Sequence, residues 1–166
     1  MKKINRFMLI AVLCFTTACG YHLRGSIDLP VELKSIYMFG MSASLNGEMK
    51  SLLRAADSKV AASPNQAGVV IKVLKEDMRR RVTSVGQTGK SSEMELNYYL
   101  RFQFYDNQEN PLLEEQTIEM SREFFNDQTV ILAKENEEVI ILKEMYRQAA
   151  RTLLSRAEVA IGTKKK

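Results

Sequence analysis

Hydrophobic and polar positions alternate from Met94 to Phe104: Met94, Leu96, Tyr98, Leu100, Phe102 and Phe104 share one parity, and Glu95, Asn97, Arg101 and Gln103 the other. A period of two predicts a strand with one face buried and the other wetted or turned to a partner. Upstream, Val69-Val70-Ile71-Lys72-Val73-Leu74 is dense enough in β-branched residues to lie inside a sheet, and the run continues to Val85 through a more polar half holding Arg79-Arg80-Arg81. Gly86 to Ser92 and Asp106 to Pro111 have turn composition. Beyond the second turn, Ile118, Met120 and Phe124 stand opposite Glu115, Thr117, Glu119 and Ser121, which predicts another strand and a meander of two hairpins.

Helical spacing occurs twice. Met49, Leu52, Leu53 and Ala56 share a face behind Ser44 or Asn46, whose side-chain oxygens suit a cap, and that helix ends near Asp57 to Lys59. Asn126 or Asp127 can cap a longer helix that places Leu142, Tyr146, Ala149, Leu153 and Ala157 along one side. Lys34 to Phe39 reads as a first strand and Ser63 to Gln66 as a loop. The order strand, helix, three strands, helix predicts an α+β fold. It is expected to be a two-layer sandwich, with two helices on one face of a four-stranded, mainly antiparallel sheet. The other sheet face is polar apart from Tyr99 and Tyr105.

The amino terminus has a different grammar. Basic Met1 to Arg6 precedes an uncharged run from Phe7 to Phe15, then Thr17 and Ala18, then Cys19. A spanning helix needs ~20 apolar residues for ~30 Å of hydrocarbon, so this run is too short and suits a removable leader. Residues 1–18 resemble a lipoprotein signal peptide, with Thr16 where such signals usually carry Leu. That resemblance implies cleavage before Cys19, a diacylglyceryl group on its sulfur and an N-acyl chain on its amine. Gly20, in place of a retaining Asp, implies sorting to the outer membrane. Residues 19–33 then read as a lipidated tether, 34–160 as one domain and 161–166 as a basic tail.

Removing 18 of 166 residues leaves 148, enough for one core. Lys2, Lys3 and Arg6 leave with the leader, so 24 basic residues become 21 against 20 acidic ones. A net charge near +1 argues against nucleic acid as a partner. Cys14 lies in the leader and Cys19 is the acyl acceptor, which leaves no thiol for a disulfide, a metal or a nucleophile. His22, the sole histidine, reads as part of the tether. Glu114-Glu115 and Glu137-Glu138 are neighbours whose side chains diverge, so neither makes a catalytic pair. No catalytic residue, no metal site and no cofactor beyond the acyl groups are expected.

Two segments carry a wider likeness: Cys19-Gly20-Tyr21-His22-Leu23-Arg24, and Phe124-Phe125-Asn126 with Ala133-Lys134-Glu135-Asn136-Glu137 and Lys143-Glu144-Met145-Tyr146. They resemble the LptE family of lipopolysaccharide-assembly lipoproteins, and the likeness covers essentially the whole mature chain. It implies a non-enzymatic component of the lipopolysaccharide translocon, paired one-to-one with the outer-membrane β-barrel LptD. Such a protein plugs the barrel, supports its assembly, faces periplasm and lumen, and binds lipopolysaccharide on its way to the outer leaflet. Cations then become the candidate ligand contacts. Lys134 lies in the matching Ala-Lys stretch, while Lys90 sits at the hairpin turn a few residues from the family's basic position. Arg79, Arg80 and Arg81 are further candidates, with Arg80 on the opposite side of the strand from the other two. Pairing with Glu76, Asp77 or Glu93 is the plainer role for that run. A different class stays open: a periplasmic-facing adaptor or carrier that binds an amphiphile without a barrel, which needs a large apolar pocket between helices and sheet.

Overall fold

The computed structural model describes residues 29–85, 91–125 and 131–164. The leader, Cys19, His22 and Lys90 lie outside them. A 3-10 turn at Val31–Lys34 leads into β1 (Ser35–Phe39), followed by α1 (Ala43–Ala55), β2 (Lys59–Val60), β3 (Val69–Val85), β4 (Ser91–Tyr105), β5 (Gln116–Phe125) and α2 (Ile131–Lys164). The two helices, the three long strands and both hairpins fall where the periodicity puts them.

The sheet differs from expectation in count and direction. Its order is β2-β1-β3-β4-β5, five strands rather than four. The β3–β4 and β4–β5 pairs are antiparallel, whereas β1 runs parallel to both β2 and β3, so the sheet is mixed. Parallel neighbours need a crossover, and α1 supplies it between β1 and β3. β2 is two exposed residues long, too short to show a period. It forms because the chain leaving α1 turns back along β1, where the Ala61 N–H donates to the Ile36 carbonyl at 2.9 Å.

The cap of α1 is Ser42 rather than Ser44 or Asn46: its side chain accepts from the Leu45 N–H at 3.2 Å. The helix begins at Ala43, so the two predicted positions already lie within its first turn. Leu45, Met49 and Leu53 of α1 and Met145, Ala149, Leu153 and Ala157 of α2 are almost fully buried against β3 and β4. On β4 the alternating set from Leu96 to Phe104 is buried without exception, and the core reaches upstream to Leu33 and Leu29. Ala149, Ala150, Ala157 and Ala160 are buried, and their small side chains allow α2 to approach closely.

A register shift between Val73 and Lys75 adds one residue to β3 opposite β4. Because side chains alternate every residue, the insertion changes which parity faces the helices. Val73 pairs with buried Phe102, yet beyond the bulge Glu76 and Met78 occupy the helix side, and Lys72 and Lys75 both reach the outer face. The bulge thus sends a carboxylate under the helices.

Candidate functional site

The outer sheet face is a grid of polar side chains. Register aligns Asp77, Tyr99 and Glu119 in one row, Arg79, Asn97 and Ser121 in the next, and Arg81, Glu95 and Glu123 in a third. These strands enclose a shallow open cleft of about 580 Å³ lined by Lys75, Asp77, Arg79, Asn97, Tyr99 and Glu119 among others. Lys75 Nζ lies 5.5 Å from the centre of the Tyr99 ring, a cation–π distance. Hydrogen bonds from Asn97 and Ser121 hold the Glu95 carboxyl below the usual carboxylate range, and Arg81 adds to this.

The three arginines do not converge. Arg79 Nε meets Asp77 Oδ2 at 2.7 Å, as the plainer role anticipates, while Arg81 Nη2 meets Glu95 Oε2 at 2.9 Å. Arg80 turns to the helix side, where Nη1 donates to both oxygens of Glu138 at 3.0 Å. Two of the partners thus differ from the expected trio. Glu95 faces Arg81 through the hairpin register, and Glu138 comes from 58 residues away. With the side chains of Arg79 and Arg81 each 73% exposed, these pairs are solvent-screened and contribute little to stability. Lys134 falls in the first turn of α2, with its side chain outside the described residues.

A second surface escaped the sequence reading. Past Lys72, β3 has no pairing with β1, and the β3–β4 hairpin continues beyond α1. At that end Val82, Val139 and Ile140 on the helix side are about half to two-thirds exposed, and Phe125, which pairs with Glu93 on the outer face, is 71% exposed. The Arg80–Glu138 pair places Val82 and Val139 in one neighbourhood. The available signal was Val139-Ile140-Ile141-Leu142: four consecutive aliphatic residues wrap a helix all round, whereas packing on one sheet needs a stripe.

Under the helices, the displaced Glu76 forms a polar knot. Its carboxylate accepts from the Ser42 N–H at 2.8 Å, the Ser42 hydroxyl at 2.6 Å and the Tyr98 hydroxyl at 3.0 Å. Tyr146 of α2 meets the Tyr98 ring edge-on at 5.3 Å. The knot ties β3, β4 and α2 to the amino end of α1, where the helix dipole favours an anion. Burial first, then the Glu76 charge, pushes the Tyr98 hydroxyl far above its ordinary range. Tyr146 moves in the same direction for the same causes, opposed by a hydrogen bond with Ser44.

A raised folded-state pKa gives stability that is whole below the unfolded value near 10 and declines as pH climbs through the folded value. Urea midpoints are accordingly expected to be level from pH 7 to 9 and to drop steeply above 10, with a shallower drop in Tyr98→Phe. That variant should also cost about 1 kcal/mol at neutral pH through the lost hydrogen bond. Equal alkaline slopes in parent and variant would exclude Tyr98 as the titrating group.

Among the described residues no cluster of metal-ligating side chains occurs, and no helix is long and apolar enough to cross a membrane. The layer between helices and sheet is filled by side chains such as Leu45, Met49, Leu100 and Phe102, each with no exposed surface. A carrier needs a cavity there, and this packing weighs against that alternative.

These elements make a two-layer α+β domain with a bare polar sheet face and an apolar far end. The family model of LptE, lipopolysaccharide assembly, matches residues 30–157, and the chain belongs to that family. It is 29% identical over 150 residues to the LPS-assembly lipoprotein LptE of Pectobacterium atrosepticum, covering 87% of this chain and 79% of that one. The Photorhabdus laumondii protein of the same name is 29% identical over 156 residues, covering 92% and 84%. Lipoprotein B from Nitrosomonas europaea shares the fold, with a TM-score of 0.68 at 22% identity over 86% of this chain and 93% of that one. The chain is therefore a non-enzymatic lipoprotein of lipopolysaccharide assembly, in keeping with an outer-membrane location.

Proposed function

We propose that the chain, acylated on Cys19, acts as a one-to-one plug of the LptD barrel and binds lipopolysaccharide as it passes to the outer leaflet. The observation that carries this reading is the uncovered far end, where Val82, Val139 and Ile140 are exposed at the amino-terminal turns of α2. Lipopolysaccharide joins acyl chains to anionic phosphates, so an aliphatic surface close to Lys134 suits both of its parts. Lys90 at the hairpin is the second cation proposed for the headgroup, and Arg79, Arg80 and Arg81 contribute a weaker field because each has a carboxylate partner. From Lys75 to Arg81 and across the facing residues of β4 and β5, the polar outer face is the surface offered to the barrel lumen, and the periplasm is the side from which ligand arrives.

Reversing one solvated charge is worth about 1 kcal/mol, so Lys134→Asp is expected to weaken lipopolysaccharide binding roughly fivefold at low salt while the barrel complex survives. Unchanged binding would remove Lys134 from the site. For the plug role, photocrosslinking groups at Tyr99 and Arg101 should capture LptD in intact cells. Failure to capture it from several outer-face positions, with the protein present in the membrane, would return the adaptor to first place.

A further inference from the structure

We infer that the tether pole of the domain docks on the phospholipid surface, so that the protein lies against the bilayer it is anchored to; this rests on the reading of Cys19 as an acylated anchor. The observation is a second groove, about 320 Å³, on the outer face at the β1 end of the sheet, lined by Tyr37, Phe39, Lys72, Tyr105 and Glu109 among others. Register sets Tyr37, Val70 and Tyr105 in one row across β1, β3 and β4, and Phe39, Lys72 and Gln103 in the next. Phe39 is 56% exposed and Val31, just upstream, 83%. Lys59 pairs with Ser35 in register, which puts a further exposed cation beside the aromatic rows.

Aromatic rings with lysines around them suit the membrane interface, where a ring sits at headgroup depth and ammonium groups meet lipid phosphates. Connectivity selects lipid over another occupant. Leu29 is held in the core, and ten residues from Cys19 span at most about 35 Å, so the anchor cannot carry this pole far from the bilayer. The last helix brings its basic end to the same pole. α2 meets Arg80 of β3 through Glu138 at the far end, reaches the Thr117 carbonyl through Arg156 at 2.9 Å, and packs against the Val31–Lys34 turn. Lys164 ends the helix and Lys165-Lys166 follow in sequence. Basic residues of this kind are drawn to anionic lipid. A tether alone permits any orientation, whereas a docked pole directs the apolar far end away from the membrane surface that holds the anchor.

The chain has no tryptophan, so a single one reports position without interference. Acylated Phe39→Trp and Val139→Trp proteins, purified from membranes, are reconstituted into phosphatidylethanolamine–phosphatidylglycerol vesicles containing lipids brominated near the headgroup. Phe39→Trp should be quenched about twofold and Val139→Trp left unquenched, because only the first lies at interface depth. Val31→Trp is a second reporter should Phe39→Trp fail to fold. In the Phe39→Trp background, Lys59→Glu with Lys72→Glu should reduce quenching. If the reporters at Phe39 and Val31 are no better quenched by lipid than Val139→Trp, and equally open to iodide, the docking proposal is overturned.

A protein that does not float with vesicles would instead signal failure of the anchor reading. The pole is then tested on residues 19–166 coupled to a maleimide lipid through Cys19, their only thiol. Quenching in that form upholds docking, and its absence refutes it.

Discussion

Phe102→Ala is expected to lower the unfolding free energy of the domain by about 3–5 kcal/mol, read from urea midpoints of the unacylated chain. Phe102 has no exposed surface and sits on an interior strand, paired in register with Val73 on β3 and Gln116 on β5. Phe104 meets its ring edge-on at 5.2 Å, and the Arg156 guanidinium lies 5.8 Å from its centre. Truncation removes the buried ring and leaves a void that strands on both sides cannot close. Against a total stability of about 5–15 kcal/mol for a domain of this size, that loss is a large fraction of the whole. Phe125→Ala is the matched contrast: with the residue 71% exposed, it should change stability by less than about 0.5 kcal/mol. Its effect is expected in recovery of the barrel complex. Equal stability losses at the two positions would contradict the burial that separates core from candidate contact surface.

That contrast marks how far the chain can be read without coordinates. Leu96 to Phe104 announce their strand and its buried face because alternation is a local property, and both helices follow from spacing within a few turns. What depends on distant neighbours was hidden. The parallel direction of β1 is set by a crossover whose ends lie far apart in sequence, and β2 exists only as an annex to β1. The bulge after Val73 leaves no mark in the order of residues, yet it decides that Glu76 faces Ser42 and Tyr98 rather than water. Arg80 illustrates the same limit: alternation assigns its side of the strand, whereas its partner Glu138 is known only once α2 crosses β3. The far-end aliphatics were legible in principle, since four in succession exceed what one buried stripe can use. The resemblance drew notice to cations in this region, although an amphiphile needs its apolar half matched as well.

Cys19→Ser is expected to move the protein from the membrane fraction to the soluble periplasm while leaving its urea midpoint unchanged. Each buried methylene adds about 0.8 kcal/mol to membrane binding, so two or three acyl chains hold firmly where a single chain binds only marginally. Residues 19–166 contain no other cysteine, and the described core begins at Leu29, ten residues beyond the anchor, so removing the acyl groups takes nothing from the packing. A handful of exposed aromatics and lysines at the tether pole is too small a surface to replace those chains and can only orient a domain already held there. On the proposed reading, the anchor also confines the plug to the surface in which its barrel inserts, making their meeting a local event at high effective concentration. Recovery of the barrel complex from cells should therefore fall well below the parent at equal expression, and raising expression of Cys19→Ser should restore it in part. Separating address from assembly requires one further comparison, the variant fused to an unrelated lipoprotein leader with its own cysteine. Full recovery there would mean that the anchor acts by proximity alone. Parent-level assembly by the soluble Cys19→Ser form itself would show that the surfaces of the folded domain suffice to find the barrel.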